Sequence, residues 1–252
     1  MARPLRAGGA TGVCLLLTLI GLLLPTAQGC HYPPAVHTYD YVTDYERMSD
    51  GCDPLLSLVY VPEPVSFKDC REVVIGDIGV GEAWVDSPDE AVGYATLFRV
   101  ALRNKLARLG RFETVSLDKE DADPANKPPP GTILVEGKLT MFDMGSGFLR
   151  YVSYFLWFVQ SGATDFQVEG RVRDAATGKL LVEFADRRRY LCNTPFGPNP
   201  HNFERGYAMK VTVADAAQCL ARFIAAGRYG LPAVSAASPP PQTLLDVAEG
   251  IQ

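Results

Sequence analysis

The chain has 252 residues, 47% of them hydrophobic, with 24 basic and 29 acidic side chains and a net charge of −5. This acidic balance argues against a nucleic-acid partner, because binding to phosphates requires a basic surface. The length and the hydrophobic fraction suffice for one domain with a core of its own and for flanking segments.

The first segment, residues 1–29, has the pattern of a secretory signal peptide. Two arginines precede an apolar run from Val13 to Leu24, and Pro25 and small residues follow. The run is shorter than the ~20 apolar residues that a membrane-spanning helix needs. We therefore expect residues 1–29 to be removed on export. Because they contain two arginines and no acidic residue, the mature chain has a net charge near −7.

Cys30 follows the expected cleavage site. The tetrapeptide Ala27-Gln28-Gly29-Cys30 resembles the lipobox of bacterial lipoproteins, in which the new N-terminal cysteine is acylated, palmitate being one such acyl group. The resemblance implies a membrane partner through a lipid at Cys30. His31 stands where Asp signals inner-membrane retention, which favours an outer-membrane protein facing the periplasm. A soluble periplasmic or secreted protein is the alternative.

Four further cysteines remain in the mature chain, and an even number in an oxidising compartment predicts disulfides. Four cysteines allow three pairings, and local pairing is the simplest. It joins Cys52 to Cys70 and Cys192 to Cys219. No CxxC or HxxxH spacing occurs, so no metal site is predicted.

The next three segments are a tether, a domain and a tail. Residues 30–54 are rich in Pro, Tyr and Asp without apolar periodicity, and predict a tether between membrane and domain. Its tyrosines either form a binding strip or belong to a linker that lies partly over the domain. Residues 55–228 are predicted to form a single α/β domain, and residues 229–252 a flexible C-terminal tail.

The first half of the domain contains the clearest helix signal. Two β-rich runs, 55–61 and 72–80, come first. Ser87, Pro88 and Glu90 then form a helix start with a capping residue, and Gly110 ends the helix. The apolar side chains between them recur at helical spacing: Ala91, Ala95, Phe98, Leu102, Leu106 and Leu109.

The second half alternates apolar and polar residues at strand spacing. Strands are predicted over residues 133–142, 166–173 and 179–188, with a turn at 174–178 between the last two. A second helix is predicted over residues 209–224. The pattern predicts an α/β (α+β) sandwich, with a mixed, largely antiparallel sheet and two main helices packed on one face.

No catalytic constellation stands out. The sequence has no GxSxG elbow and no P-loop, and its Gly76-Gly79-Gly81 spacing is not that of a dinucleotide-binding loop. No catalytic residue, cofactor or metal is therefore predicted, and an enzyme is not expected. The alternative is a periplasmic hydrolase or small-ligand-binding protein that uses Asp77, Glu82 or His201.

The segment 147–159 is unusually aromatic. Its six aromatic side chains are Phe148, Tyr151, Tyr154, Phe155, Trp157 and Phe158, and Arg150 is its only charge. One interpretation is a core strand or buried hairpin. The other is an apolar patch for a membrane or a partner chain. The run Arg187–Arg189 is interpreted as a solvated strand end that could meet lipid phosphates beside this patch.

A family resemblance rests on short motifs across the second half of the domain. They include Gly145, Arg150, Tyr151, Gly162, Ala163, Asp174, Ala175, Thr177 and Gly178. Residues 55–226 thereby resemble an uncharacterised domain-of-unknown-function family of bacterial envelope lipoproteins. That family is similar in layout to the curli-secretion lipoprotein and to lipoprotein activators of cell-wall synthases. The chain departs from the family in its extra aromatic run, 154–159.

The resemblance implies a non-catalytic envelope component and supplies no catalytic residues. We therefore predict a lipid-anchored cell-envelope protein that acts by protein binding or self-assembly. Its partners are the membrane and an unknown envelope protein or a second copy of the chain, and nucleic acid is not among them.

Overall fold

The computed structural model describes residues 36–38, 41–42, 44–49, 56–82, 84–118, 128–146, 163–190, 193–194, 197–198, 204 and 206–237. All of them lie within one compact unit of the chain, residues 33–252. Cys30, the aromatic segment 147–159 and His201 lie outside the described residues.

Six strands form one mixed sheet in the order β1-β6-β5-β4-β2-β3. Their bounds are β1 (Leu58–Tyr60), β2 (Glu72–Val80), β3 (Thr114–Leu117), β4 (Thr132–Asp143), β5 (Thr164–Asp174) and β6 (Leu180–Tyr190). β2 is parallel to β3 and β4, and the pairs β4–β5, β5–β6 and β1–β6 are antiparallel. Two further short strands, β7 (Asn193–Thr194) and β8 (Gly197–Pro198), pair with each other. The mixed, largely antiparallel sheet confirms the prediction.

The first helix, α1 (Pro88–Leu109), begins and ends where the sequence indicates. Pro88 occupies the first turn after Ser87, and Gly110 ends the helix in the left-handed region at φ 60°. The Ser87 side chain makes no capping hydrogen bond. The predicted stripe is buried over Ala91, Ala95, Phe98, Leu102 and Leu106.

The second helix, α2 (Tyr207–Ala226), packs against α1 and against β5 and β6. Its buried residues include six alanines that let the helix approach its neighbours closely, namely Ala208, Ala216, Ala217, Ala221, Ala225 and Ala226. Of the helices that the structure describes, none is long and apolar enough to cross a membrane.

The two helices cover one face of the sheet, hereafter the helix face, and bury its apolar side chains. Phe98 of α1 packs on Phe166 with 5.8 Å between ring centroids. Phe184 lies over Gly170, where an added Cβ would overlap the Phe184 ring. Only glycine fits there, because the aromatic ring occupies the space that a side chain would need.

A β-bulge alters the predicted alternation of β4. The pairing with β5 shifts between Leu139 and Met141, so that Leu139 and Phe142, three residues apart, both join the main core. Phe142 packs against Tyr94 of α1 at 5.2 Å between ring centroids. A bulge adds one residue to a strand and reverses the direction of every side chain after it.

The opposite face of the sheet carries a segment of the predicted tether. We call this segment the N-terminal strap: residues 36–38, 41–42 and 44–49. Val42 and Met48 are buried with Ala185 in a small second hydrophobic cluster. Ser49 forms a bridge with Val59 of the edge strand β1. This part of the chain thus lies over the domain, as one of the two sequence interpretations expected.

Candidate functional site

The side chains beneath the N-terminal strap form the most elaborate polar arrangement that the structure describes. They lie on the strap face of the sheet, defined by Gln167, Glu169, Arg171 and Glu183. β5 positions the first three, because alternate residues of a strand point to the same face. The same alternation sends Phe166 and Val168 into the apolar core on the helix face.

Gln167 holds the start of the strap by its backbone. The His37 N–H donates to Gln167 Oε1 at 2.9 Å, and Gln167 Nε2 donates to the His37 carbonyl at 2.7 Å. The Gln167 side chain is fully buried. Its amide therefore pairs with the strap much as a neighbouring strand would.

Glu169 is a buried carboxylate that accepts four hydrogen bonds. Thr140 Oγ1 and Gln167 Nε2 each donate to Oε1 at 2.9 Å. The Val42 N–H donates to Oε2 at 3.3 Å, and the Tyr45 hydroxyl donates to the same oxygen. Burial raises the pKa of Glu169, and its hydrogen bonds offset that rise only in part. The carboxylate thus fixes two points of the strap.

Arg171 and Glu183 fix the middle of the strap. Arg171 Nε donates to Glu183 Oε1 at 2.9 Å, and its Nη2 donates to the Tyr41 carbonyl at 2.6 Å. The Arg171 guanidinium also lies 5.0 Å from the centroid of the Tyr41 ring. Arg47 of the strap lies over the Tyr60 ring of β1 at 4.9 Å. These contacts bind the strap to the sheet and engage both Arg171 and Glu183 in holding it.

The interpretation of the arginine run as a solvated strand end was wrong for Arg187 and Arg188, which are largely buried and paired, whereas Arg189 is paired but 40% exposed. Arg187 and Arg189 both contact the carboxylate of Asp165, at 3.1 and 2.9 Å. Arg188, on the helix face, pairs with Asp186 at 2.9 Å. Burial raises the pKa of Asp186 despite this partner. Charged residues this far inside a protein are almost always paired.

Trp84, in the loop after β2, is the one described non-glycine residue with a positive φ, 59°. Its side chain is 65% exposed. The indole stacks on His37 of the strap with 5.8 Å between ring centroids. Nearby, partial burial and the neighbouring Asp143 raise the pKa of Asp86.

A shallow pocket of about 460 Å³ lies at the opposite end of the sheet, beside the end of α1. Lys68, Arg71, Arg111 and Arg228 line it together with Cys70. Arg228 donates to the carbonyls of Cys70 and Lys68 at 2.8 and 3.0 Å, so this arginine braces the pocket wall.

The predicted disulfides are not observed. Cys70 is a half-buried free thiol and Cys219 a buried one, and burial raises the pKa of Cys219 to about 12. Cys52 and Cys192, their predicted partners, lie outside the described residues. Both disulfides stay predictions.

The other sequence candidates are not brought together among the described residues. Asp77 is 83% exposed and lies 3.4 Å from Arg99. Glu82 is exposed, while His201 lies outside the described part. In that part, no group of three or more His, Cys, Asp or Glu side chains is placed to hold a metal ion. The predicted patch, Phe148, Tyr151, Tyr154, Phe155, Trp157 and Phe158, also lies outside it.

Sequence reasoning missed Gln167, Glu169 and Arg171 as binding residues. Their alternation in β5 is that of a strand with one solvated face, and a strand covered by a polar strap has the same pattern. The available signal was in the tether, where Val42 and Met48 are apolar residues in an otherwise polar segment.

Three solved structures are similar to this chain at low sequence identity. A PelC dodecamer from Paraburkholderia phytofirmans aligns at 13% identity and a TM-score of 0.40, over 64% of this chain and 96% of that one. The hypothetical protein CT253 from Chlamydia trachomatis aligns at 9% and 0.37, over 63% and 98%. A minor lipoprotein from Acinetobacter baumannii aligns at 15% and 0.34, over 65% and 96%.

No curated protein matches the chain. One family model does, over residues 87–194, which extend from the cap of α1 to β7. The matched residues include Gln167 and Glu169 but not the strap that these side chains hold. Its description is a domain of unknown function (DUF4410), which confirms the predicted resemblance to an uncharacterised family.

Proposed function

We propose that this protein is a non-catalytic, lipid-anchored protein of the cell envelope that acts by binding. One observation carries the proposal: a lipobox-like cysteine, Cys30, is followed within a few residues by a strap that buried side chains hold on the domain. The first described residue of the strap, Val36, is six positions after Cys30. An extended chain of that length spans at most ~20 Å.

The chemistry of the strap face supports binding over catalysis. Glu169, Glu183 and Asp165 each form hydrogen bonds or ion pairs with neighbouring groups. A catalytic acid or base needs access to substrate and a proton to exchange. The described carboxylates of this face are instead engaged in holding the strap and the strands.

The bilayer that we propose for the anchor is the outer membrane, with the domain in the periplasm. The protein partner is an envelope protein or a second copy of this chain. The aromatic segment 147–159 is the surface that we propose for this protein partner. Its described flanks are Ser146, after β4, and Ala163, before β5, so the segment belongs to the connection between these two strands.

The anchor is tested by the intact mass of the mature N-terminus. We expect the mass of residues 30–252 with a diacylglycerol on Cys30, in protein that sediments with outer membranes. Cys30→Ala is the matched variant, and we expect it to lose both the added mass and the membrane association. A wild-type mass without acyl chains overturns the proposal.

The binding surface is tested by Phe155→Ala and Trp157→Ala, with Tyr229→Ala, at an exposed aromatic position outside the segment, as the control. We expect both segment variants to keep the circular dichroism of the wild type and to lose cross-links to envelope proteins or to a second copy. Insoluble or unfolded variants would place these side chains in the core and overturn the patch.

A further inference from the structure

Trp84 combines three features that rarely occur together. Its backbone lies in the left-handed region, its indole is 65% exposed, and it packs on His37 at the start of the strap. Left-handed φ values are unfavourable for bulky side chains and persist where surrounding contacts impose them. Here the Phe142 N–H donates to the Trp84 carbonyl at 3.0 Å, and Val85 forms a bridge with Phe142.

Trp84 lies at the end of the sheet where the strap begins. The His37 backbone is fixed to Gln167, and the His37 ring stacks on the indole. Since Val36 is six residues from Cys30, a lipid on Cys30 holds this end of the domain within ~20 Å of the bilayer. This step rests on the proposed function.

The opposite end of the domain lies too far from Trp84 to be held at the same distance from the bilayer. α1 has 22 residues, which gives the helix a length of about 33 Å. Trp84 precedes its first residue, whereas Arg111, just after the helix, lies 5.8 Å from the ring centroid of Tyr229. Tyr229 is 60% exposed and marks the far end.

The chemistry of the Trp84 end fits lipid headgroups. An indole has an apolar ring and an N–H donor, and tryptophan is enriched where a bilayer meets water. The nearby exposed side chains of Glu82 and Asp86 are acidic, which disfavours an anionic lipid surface. A zwitterionic phospholipid surface carries no net charge to repel them.

We propose that Trp84 inserts at headgroup level into the zwitterionic bilayer that holds the Cys30 lipid, and so fixes the orientation of the domain. Among the described residues, Trp84 is the one large exposed hydrophobic side chain in the loop between β2 and α1. One side chain is far less than the surface that a stable protein interface buries. A bilayer needs no such complementary area.

The test uses the fluorescence of Trp84 in the full acylated protein. The chain has two tryptophans, so Trp157→Phe leaves Trp84 as the single reporter. The protein is reconstituted in phosphatidylcholine vesicles with and without brominated acyl chains. We expect a roughly twofold loss of Trp84 emission in brominated vesicles, since an indole at headgroup level lies close to the acyl chains.

The matched control moves the reporter to the far end of α1. The variant Trp84→Phe, Trp157→Phe, Tyr229→Trp carries its indole at position 229, and we expect bromination to leave its emission unchanged. We also expect quenching of Trp84 to weaken as phosphatidylglycerol replaces phosphatidylcholine, because Glu82 and Asp86 oppose an anionic surface.

The acyl mass of the same sample is measured first, which separates the two proposals. If the acyl chains are present and neither indole is quenched, the inference fails while the anchor stands. Equal quenching of both indoles also overturns it, because the domain then has no fixed orientation. If the emission of Trp84 changes with protein concentration and not with bromination, Trp84 contacts a second copy of the chain, and the inference is overturned. A mass without acyl chains overturns the proposed function and this inference together.

Discussion

The two faces of the sheet are stabilised by different chemistry. The helix face buries Phe166 and Phe184 under two helices, the first of which contributes Phe98 to the same core. The strap face buries Gln167 and Glu169 under a chain segment with almost no secondary structure. Apolar burial is non-directional and scales with area, whereas buried polar groups require particular partners.

The difference indicates a division of roles. The helix face supplies most of the stability, because large apolar side chains leave water there. Buried charge pairs are weak evidence for stability, but removing one partner is costly. The strap face therefore determines where the strap lies more than whether the domain folds.

The largest effect is expected on the helix face. Phe98→Ala removes a fully buried ring that contacts Phe166, and we expect the free energy of unfolding to fall by about 3–5 kcal/mol. Urea denaturation measures it. Val92→Ala, at a 56% exposed position of the same helix, is the control and should change it by less than ~0.5 kcal/mol. A Phe98→Ala loss no larger than that of the control would contradict the assigned core.

A smaller loss with a local consequence is expected on the strap face. Glu169→Gln replaces one acceptor oxygen by an NH₂ group, which cannot accept from the Val42 N–H and the Tyr45 hydroxyl. We expect a loss of about 1–3 kcal/mol, and faster cleavage by trypsin after Arg47 in the released strap.

Glu63→Gln is the control for this variant, because Glu63 forms an exposed ion pair with Lys179 at 2.6 Å. We expect this control to leave cleavage after Arg47 unchanged. Equal cleavage rates in wild type and Glu169→Gln would mean that the carboxylate does not hold the strap.

The pH dependence of the stability that Glu169→Gln loses relative to wild type sharpens the comparison. Burial raises the pKa of Glu169 above 4.5, so its contribution to stability is complete below pH 4.5 and is lost as the pH rises through the folded-state value. The deficit of Glu169→Gln should therefore shrink with rising pH, by ~1.4 kcal/mol for each unit of pKa elevation. Urea denaturation of the wild type and of Glu169→Gln at several pH values, from about 4 to about 8, measures this change. Parallel pH profiles would argue against a buried carboxylate.

The smallest change in stability is expected at Trp84, and it is a gain instead of a loss. Trp84→Gly relieves the left-handed backbone but loses the stack on His37. We expect a net gain of ~0.5–1 kcal/mol in the isolated protein, because φ 59° suits glycine. Thermal unfolding of the unacylated domain measures it. A net loss would mean that the contact with the strap outweighs the backbone strain.

The helix face was predictable because its signals are local. The spacing from Ala91 to Leu106 and the Pro88 start lie within one helix, and the turn ending at Gly178 lies between two adjacent strands. The bulge near Thr140 was not predictable from alternation, since one extra residue leaves the composition unchanged.

The strap face was not predictable because its contacts join distant parts of the chain. Val42 and Glu169 are 127 positions apart, and His37 and Gln167 are 130 apart. A polar residue in β5 has the same sequence pattern whether water or the strap covers it. Arg187 was also assigned to solvent, although its side chain is buried against Asp165 of the neighbouring strand.

The long separation between the strap and its partners also sets the order of folding steps. The chain emerges with its N-terminus first, and the strap has no binding site until β5 has been delivered. On the proposal that Cys30 is acylated, the lipid is attached 26 positions before Leu56, a reach of about 90 Å. Once the strap is docked, the six positions from Cys30 to Val36 span at most about 20 Å. On the same proposal, folding shortens the tether between the lipid and the domain.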